Sequence, residues 1–440
     1  MPFTRHLKSV FQAPGLAVVA AFLLRISLLC WIHRDHDAHQ SLFFPVSYEM
    51  WRVAASVAQG HGFASPWVGI PGPTAWAAPV YAYLLALDMK LFHMSDYAVP
   101  IVAQAFNCLF SALTCWPIYA LGKRVFNARV GLLSSWLWVF LPMAVLFPLE
   151  WLWDPSLSAF LLTVLLYMTF ALQERSSSLH WMGYGLLWAV AGLTNPALGI
   201  LFPFLLGWLA VQRSKNSLPW RGQLAKAVLI LILGLLPWTV RNYRVFHQII
   251  PIKSTFGLTL YFGNNPGIRN GVFPRHRAYD LTKEDYQQFA QQGEPAFMKV
   301  KQRQAIEFIK AHPLAFLEAC FDRFVDAWTG TSEVPWDRWI FLLGVGKAYI
   351  AFTTAFSLLA FAGLFFACRT SWPQAAPFLF AIVLFPAPYY VTHSYLRYRH
   401  PIDPVLTILA VFAVVQAGSA AAARWAGRRS PGLSPRQEAP

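Results

Sequence analysis

Long apolar runs separated by short polar segments dominate the chain. Runs of roughly 18–20 apolar residues are long enough to span a bilayer as helices. Such runs lie at Gly15–Ile32, Tyr97–Leu121, Val130–Leu149, Pro155–Leu172, Trp181–Gln212, Leu224–Val240, Ala348–Phe366, Ala376–Val391 and Pro404–Ala421. The run at Trp181–Gln212 is interrupted by Asn195–Pro196, and we interpret it as two short segments. The pattern predicts an all-α polytopic membrane protein with about ten transmembrane helices.

The first polar stretch, Pro45–Pro79, contains a second kind of helix signal. Tyr48–Gln59 has an amphipathic pattern that ends at glycine, which predicts a short helix lying at the membrane surface. Its two faces consist of Met50, Val53, Ala54 and Val57 on one side, and Glu49, Arg52 and Ser56 on the other. The apolar segment Val80–Phe92 is too short to cross and predicts a further in-plane helix.

The distribution of cations predicts the orientation. Basic residues precede the first apolar run, which by the positive-inside bias places both termini in the cytoplasm and residues 33–79 outside. We therefore divide the chain into a transmembrane module (1–240), an extracytoplasmic region (241–338), C-terminal transmembrane helices (339–423) and a basic tail (424–440).

Composition excludes several classes of function. The chain is 57% hydrophobic and 12% charged, about half the charged fraction of an ordinary soluble domain. The net charge of +15 fits cytoplasmic loops and anionic lipid headgroups, so we expect membrane lipids and no nucleic acid as partners. The sequence has no phosphate-binding glycine motif of a nucleotide-driven enzyme.

Candidate chemistry gathers on the predicted outer face. The acidic candidates there are Glu49, Glu150 and Asp154, and the cations suited to a lipid phosphate are Arg52, Arg241, Arg399 and His400. Each has a plainer explanation. Glu49 and Arg52 fit a solvated ion pair, and Asp154 before Pro155 fits a helix N-cap. Trp67 and Trp76 fit sugar stacking or interfacial anchoring.

Several segments together resemble a known family. YEMWRVAASVAQGHGF, GPTAWAAPVY, PWTVRNYRVF with FGNNPG, and YRHPIDP occur in an order and spacing that resembles the GT-C glycosyltransferases. More narrowly, they resemble the branch with protein mannosyltransferases and the aminoarabinose and rhizobial galacturonic acid transferases of lipopolysaccharide. The resemblance covers nearly the whole chain.

The resemblance implies a bacterial inner-membrane enzyme that moves a hexosyl or pentosyl group from a polyprenyl-phosphate-linked donor. Transfer would occur on the outer face, with inversion, to a lipid, glycan or protein acceptor. Glu49 matches the family's first-loop acid, a base or acceptor-orienting group, and Arg52 matches a basic position near the donor phosphate. The resemblance implies no certain cofactor and leaves a divalent metal open. From the residues, Asp154 and Glu150 are alternative bases or metal ligands.

The chain departs from the family pattern at two positions. A single Glu49 replaces the usual aspartate, and Ala77–Ala78–Pro79 replaces a Lys-Pro-Pro opening, which removes a cation. Two other classes stay open from the residues alone. A lipid or small-molecule transporter would need more polar residues within its spans, and a non-catalytic membrane scaffold would not need an acid and several cations at one depth.

Overall fold

The computed structural model describes residues 14–34, 48–67, 69, 71–95, 98–150, 152–269, 282–331 and 345–428, and these ranges are helical with connecting loops. The first helices are α1 Pro14–Ile32, α2 Tyr48–Ala58, α3 Pro79–Leu91, α4 Ala98–Leu113, α5 Cys115–Val125, α6 Ala128–Phe140, α7 Pro142–Glu150, α8 Pro155–Ala171, α9 Ser178–Thr194, α10 Leu201–Lys215 and α11 Arg221–Phe246. The remainder are α12 Phe256–Gly263, α13 Pro266–Arg269, α14 Lys283–Gln292, α15 Glu294–Ala311, α16 Pro313–Thr329, α17 Val345–Thr370, α18 Trp372–Leu384, α19 Ala387–Val391, α20 Leu396–Arg399 and α21 Asp403–Arg428. Short 3₁₀ turns lie at Pro196–Ile200 and His400–Ile402.

The helix lengths confirm a polytopic bundle but not its predicted number of spans. Seven helical segments in the described ranges are long and apolar enough to cross a membrane, and the bent pair α6–α7 makes eight. The prediction of about ten also included α8 and α9, which have 17 residues each. These two helices fall slightly short of the roughly 18 residues that cross a bilayer without thinning it.

Glycine allows neighbouring helices of the bundle to approach closely. A Cβ atom at Gly363 on α17 would lie 1.9 Å from the Leu409 carbonyl oxygen of α21. A Cβ atom at Gly185 on α9 would lie 2.3 Å from the Ala227 carbonyl oxygen of α11. Van der Waals packing drives helix association in lipid, so small residues at such crossings stabilise both pairs.

A buried arginine fixes the bend between α6 and α7, whose axes differ by 45°. The Arg25 guanidinium, on α1, donates to the carbonyl oxygens of Trp138 at 3.1 Å and Val139 at 3.3 Å at the end of α6. It also donates to Ala144 O of α7 at 3.0 Å and to the Ser111 hydroxyl at 3.1 Å. Backbone carbonyls freed by the break are thus satisfied within the bundle, as an apolar environment requires.

The first loop forms the short helices expected from its sequence. Helix α2 ends where Gly60 and Gly62 take positive φ angles of 84° and 80°, a conformation that glycine adopts without steric cost. Helix α3 has 13 residues and packs against α2 through an apolar cluster that includes Met50, Val53 and Leu85. The sequence thus predicted both helices and their turn.

Residues 282–331 add three helices, α14 to α16, beside the bundle end that carries the first loop. Trp67 and Trp76 of the first loop pack with Leu258 of α12, Phe289 of α14 and Phe297 of α15 in one apolar cluster. This cluster holds the first loop against the segment that follows α11. The predicted division into domains stays a prediction, and the basic tail from residue 429 lies outside the described residues.

Candidate active site

Glu49 lies in the first turn of α2 and keeps part of its surface accessible. Burial raises the pKa of its carboxyl above the usual range. Its own backbone N–H and the positive charges of Arg397 and Lys253 oppose that rise. A carboxylate with a raised pKa that still faces two cations is suited to accept a proton. The predicted base therefore lies at the head of a positively charged site.

Lys253 lies at the centre of this site, and the sequence analysis missed it. It lies between α11 and α12, and the negative charges of Asp154 and Glu49 raise its pKa. Burial has the larger effect and lowers the pKa of Lys253. The sequence did contain one indication of this role, because Lys253 is the one charged residue between Arg244 and Arg269. We call Glu49, Asp154, Lys253 and Arg397 the Glu49 site.

Asp154 does not act as the helix cap that its sequence context indicated. Its carboxylate makes no capping bond to the backbone of α8 and instead accepts from the Ser158 hydroxyl at 2.6 Å. Burial raises the pKa of this carboxyl, opposed by Ser158, by the Lys253 charge and by the Asn195 side chain. Asn195 stands at the break between α9 and α10, so the interrupted run contributes a polar group to the Glu49 site.

Aromatic rings line the Arg397 side of the site. The Arg397 guanidinium carbon lies 4.7 Å from the Tyr395 ring centroid and 5.1 Å from that of Tyr398. The Tyr398 ring stacks on Tyr389 at 4.8 Å, and its hydroxyl lies 3.0 Å from His393 Nε2. Burial, followed by the charges of Arg397, Arg323 and Lys253, lowers the pKa of His393 to about 3. This histidine is therefore neutral near pH 7, and the positive charge on this side of the site belongs to Arg397.

Comparison with known proteins finds relatives of similar fold. Residues 76–238 match the family described as Dolichyl-phosphate-mannose-protein mannosyltransferase. The chain is similar to the Archaeoglobus fulgidus oligosaccharyltransferase solved with Zn and sulfate, at 13% identity and a TM-score of 0.55 over 93% of this chain and 50% of that one. The chain is also similar to the oligosaccharyltransferase AglB of the same organism, solved with an inhibitory peptide and a dolichol-phosphate. The identity is 14% and the TM-score is 0.55, over 96% of this chain and 52% of that one.

The chain has a GT-C glycosyltransferase fold. It is a multi-pass membrane protein, and it spans about half the length of the oligosaccharyltransferase chains that it matches. No curated protein sequence matches it. The resemblance noted from sequence motifs is confirmed at the level of fold.

Within the GT-C fold, Arg241 contacts protein backbone. Its guanidinium donates to Thr74 O and Phe63 O, both at 2.7 Å, and lies 5.1 Å from the Trp238 ring centroid. These contacts tie the first loop to the end of α11. The phosphate-binding role predicted for Arg241 stays a prediction. Two of its hydrogen bonds go to the first loop, and a third goes to the Asn242 side chain of α11.

Arg399 and His400 lie inside the GT-C bundle, on either side of Asp403. Arg399 Nε donates to Asp403 Oδ1 at 3.0 Å, and His400 Nδ1 lies 2.9 Å from Asp403 Oδ2. Arg399 Nη1 also donates to Ala327 O and the Ser357 hydroxyl, which joins α16 and α17 to α21. We call these three residues the Asp403 triad. Their side chains are at most 1% exposed, so a phosphate would have to enter the bundle interior to reach them.

The other predicted site residues lie around the rim of the site or away from it. Arg52 follows Glu49 by one turn of α2 and is partly buried, whereas Glu150 is exposed at the end of α7. Trp67 and Trp76 form an edge-to-face pair with centroids 4.8 Å apart and are 7% and 6% exposed. Protein aromatics already cover these two rings, so the structure gives their predicted sugar contact no direct support.

Proposed function

We propose that this protein is a membrane glycosyltransferase that moves a sugar from a polyprenyl-phosphate-linked donor to a lipid, glycan or protein acceptor, with inversion. The observation that carries the proposal is the Glu49 site, in which a partly accessible carboxylate faces Arg397 and Lys253 at one end of a GT-C bundle. An oligosaccharyltransferase with a similar fold was solved with a dolichol-phosphate, which supports a lipid-phosphate donor here.

In the proposed reaction Glu49 acts as general base. Its carboxylate takes the proton of the acceptor hydroxyl, whose oxygen bonds to the anomeric carbon as the bond from that carbon to the phosphate oxygen breaks. The lipid phosphate leaves with the electron pair of that bond. Arg397 and Lys253 stabilise the charge that develops on this leaving group. The negative charge of Asp154 favours the protonated form of Lys253.

The phosphate ligands expected from the sequence, Arg52, Arg241, Arg399 and His400, stay predictions. The contacts of Arg241 and of the Asp403 triad favour Arg397 and Lys253 in this role, because these two cations act directly on Glu49. Arg52 lies close enough along α2 to join them, while Arg399 and His400 would act through the bundle packing. Trp67 and Trp76 would act by holding the first loop in place.

A divalent metal does not fit the described residues of the site. A neighbouring fold was solved with Zn, but no group of three or more His, Cys, Asp or Glu side chains in the described ranges is placed to hold an ion. Glu49 and Asp154, the two carboxylates of the site, both interact electrostatically with Lys253. We therefore assign the local positive charge to Lys253 and write the reaction without a metal.

We propose that the enzyme lies in a bacterial inner membrane with the Glu49 site outside and both termini in the cytoplasm. The bundle end opposite Glu49 carries Arg124, Arg175, Arg213 and Arg369, in agreement with the positive-inside bias. Labelling of Ser65→Cys but not Arg129→Cys by an impermeant thiol reagent from outside is expected. The reverse pattern would discard this orientation.

The decisive experiment is an assay of the purified protein with a panel of polyprenyl-phosphate sugars. Release of polyprenyl phosphate in the presence of acceptor is expected for one donor class, and Glu49→Gln protein supplies the matched control. If wild type and Glu49→Gln release the same small amount from every donor, the chain is not a transferase of this kind. A transporter would instead bind a lipid-linked sugar without breaking it.

A further inference from the structure

A buried carboxylate outside the Glu49 site connects the two segments that form it. Glu294, the first residue of α15, is 4% exposed. Its carboxylate accepts hydrogen bonds from the Ala75 N–H at 2.8 Å, from the Ser254 hydroxyl at 2.6 Å and from the Thr74 hydroxyl. A carboxylate is an acceptor with room for about four hydrogen bonds, so one group serves three donors.

The donors come from segments that are far apart in the sequence. Thr74 and Ala75 belong to the first loop, which also contains α2 and Glu49, whereas Ser254 directly follows Lys253. The Ser254 N–H donates to the Ala75 carbonyl at 3.0 Å, which adds a direct link between the same two segments. Glu294 thus closes a junction at which the positions of Glu49 and Lys253 are set relative to each other.

A buried carboxylate that holds two loops together has a high free-energy cost of desolvation. Burial raises the pKa of Glu294, opposed by the three hydrogen bonds and the Arg241 charge. Apolar packing could join the loops at lower cost, as the neighbouring cluster of Trp76 and Phe289 does. Only a fixed acceptor, however, determines where the Ser254 hydroxyl lies. The backbone at Ser254 in turn determines how Lys253 enters the site.

We propose that Glu294 is a positioning residue for glycosyl transfer, which fixes the backbone that carries Lys253 relative to the first loop and Glu49 through Ser254. This inference rests on the proposed function, although its effect on Lys253 can be measured without a sugar donor. Glu294→Gln should lower kcat by roughly 10- to 100-fold, because small misplacements of a catalytic group have effects of that size. Donor binding should change less.

The first test measures the titration of Lys253 by NMR after reductive ¹³C-methylation of the whole protein, with Lys253→Arg used to assign the signal. In Glu294→Gln and Ser254→Ala the Lys253 pKa is expected to rise towards its ordinary value, because a loosened side chain is less buried. An unchanged Lys253 titration in both variants would overturn the inference, whatever the protein catalyses. Ser254→Ala removes a single hydroxyl, so it covers the case in which Glu294 variants fail to fold.

The second test separates positioning from stability. Asp285→Asn is the matched control, since Asp285 is a buried carboxylate beside Lys301 in the same group of helices and is not one of the four residues of the Glu49 site. It should lower thermal stability without moving the pH profile of kcat. Glu294→Gln should move the acidic limb of that profile to higher pH, because a displaced ammonium lowers the Glu49 pKa less. If Glu294→Gln behaves like Asp285→Asn, Glu294 is structural only.

Discussion

The Glu49 site and the Asp403 triad contain the same kinds of charged group in opposite settings. In the triad, Arg399 and His400 both contact a single carboxylate, and the side chains are at most 1% exposed. In the Glu49 site, two carboxylates face Lys253, and Glu49, Lys253 and Arg397 each keep accessible surface. The difference lies in exposure, because three side chains of the Glu49 site keep accessible surface and those of the triad keep almost none.

This contrast indicates a structural role for the Asp403 triad and a catalytic role for the Glu49 site. Buried charges that neutralise one another connect helix ends and make the bundle specific. Charges that keep some solvent contact can still change partner when a substrate arrives, which catalysis requires. Variants at matched positions in the two groups should therefore separate loss of turnover from loss of stability.

The largest expected effect is on turnover in Glu49→Gln, which keeps the shape of the side chain and removes its basic oxygen. The rate should fall by roughly 10²–10⁴, the usual contribution of a general base, with little change in thermal stability or donor affinity. Glu49→Asp should keep part of the activity. The measurement is release of polyprenyl phosphate by purified protein at matched concentration. If Asp154→Asn abolishes release while Glu49→Gln does not, the base is Asp154.

The matched change in the triad, Asp403→Asn, should act on stability. It leaves the Arg399 guanidinium buried without its counter-ion, and breaking a buried pair in this way costs about 3–5 kcal/mol. We expect a lower yield and a lower Tm, with near-normal turnover per folded molecule. Normal stability combined with lost turnover would move the triad into the active site.

The next effect compares two arginines that lie two residues apart. Arg397→Ala should weaken donor binding roughly tenfold or more, because a charge-assisted bond to phosphate contributes about 1.5–3 kcal/mol. Arg397→Lys should restore part of it. Arg399→Ala should lower stability instead. Isothermal calorimetry of donor binding distinguishes Arg397→Ala from Arg399→Ala. Equal losses of affinity in the two variants would contradict the assignment of phosphate binding to Arg397 and not to Arg399.

A smaller effect concerns pH. The pKa of Glu49 is raised by burial and pulled down by Arg397 and Lys253, so its ionised form is lost as pH falls through that raised value. Lys253→Met removes one opposing charge, and the acidic limb of kcat should therefore move to higher pH. The control is Lys226→Met at the opposite bundle end. If the pH profile of kcat is the same in Lys253→Met as in the wild type, the charge of Lys253 does not act on Glu49.

The smallest expected effect is that of a chelator. Because the proposed reaction uses Arg397 and Lys253 rather than an ion to stabilise the leaving phosphate, EDTA should leave the rate of the wild-type enzyme unchanged. Loss of activity with EDTA and its return on adding Zn²⁺ or Mg²⁺ would show that Lys253 does not replace an ion. The comparison should be run with stripped detergent and buffers.

The sequence was most informative where the signal was local. Amphipathic spacing and two glycines were sufficient to predict α2, and the same helix carries Glu49 near its start. The interruption at Asn195–Pro196 was also visible, because the residue before proline disfavours continued helix. What could not be predicted was that Asn195 would contact Asp154, a residue more than one helix away in the sequence.

The residues whose contacts the sequence did not reveal have partners that are distant in the chain. Asp154 before Pro155 matches an N-cap, and nothing nearby indicates that Lys253 will lie beside it. Arg399 at the end of an apolar run resembles an interfacial cation, while its actual partners include Ala327 and Ser357. Long-range packing decides between a scaffold charge and a functional one, and a single sequence contains little of that information.

The contacts of Arg25 also constrain the order in which the protein is made. Helix α1 leaves the ribosome before α6 and α7, so the arginine that satisfies their carbonyl groups is already in the membrane when the bent pair arrives. Until then α1 contains a cation near its middle, which costs about 2.5–3.5 kcal/mol at the insertion step. Docking of α6–α7 removes that cost and the unpaired carbonyls together. The chain therefore presents the hydrogen-bond donor of the bend before the bend itself.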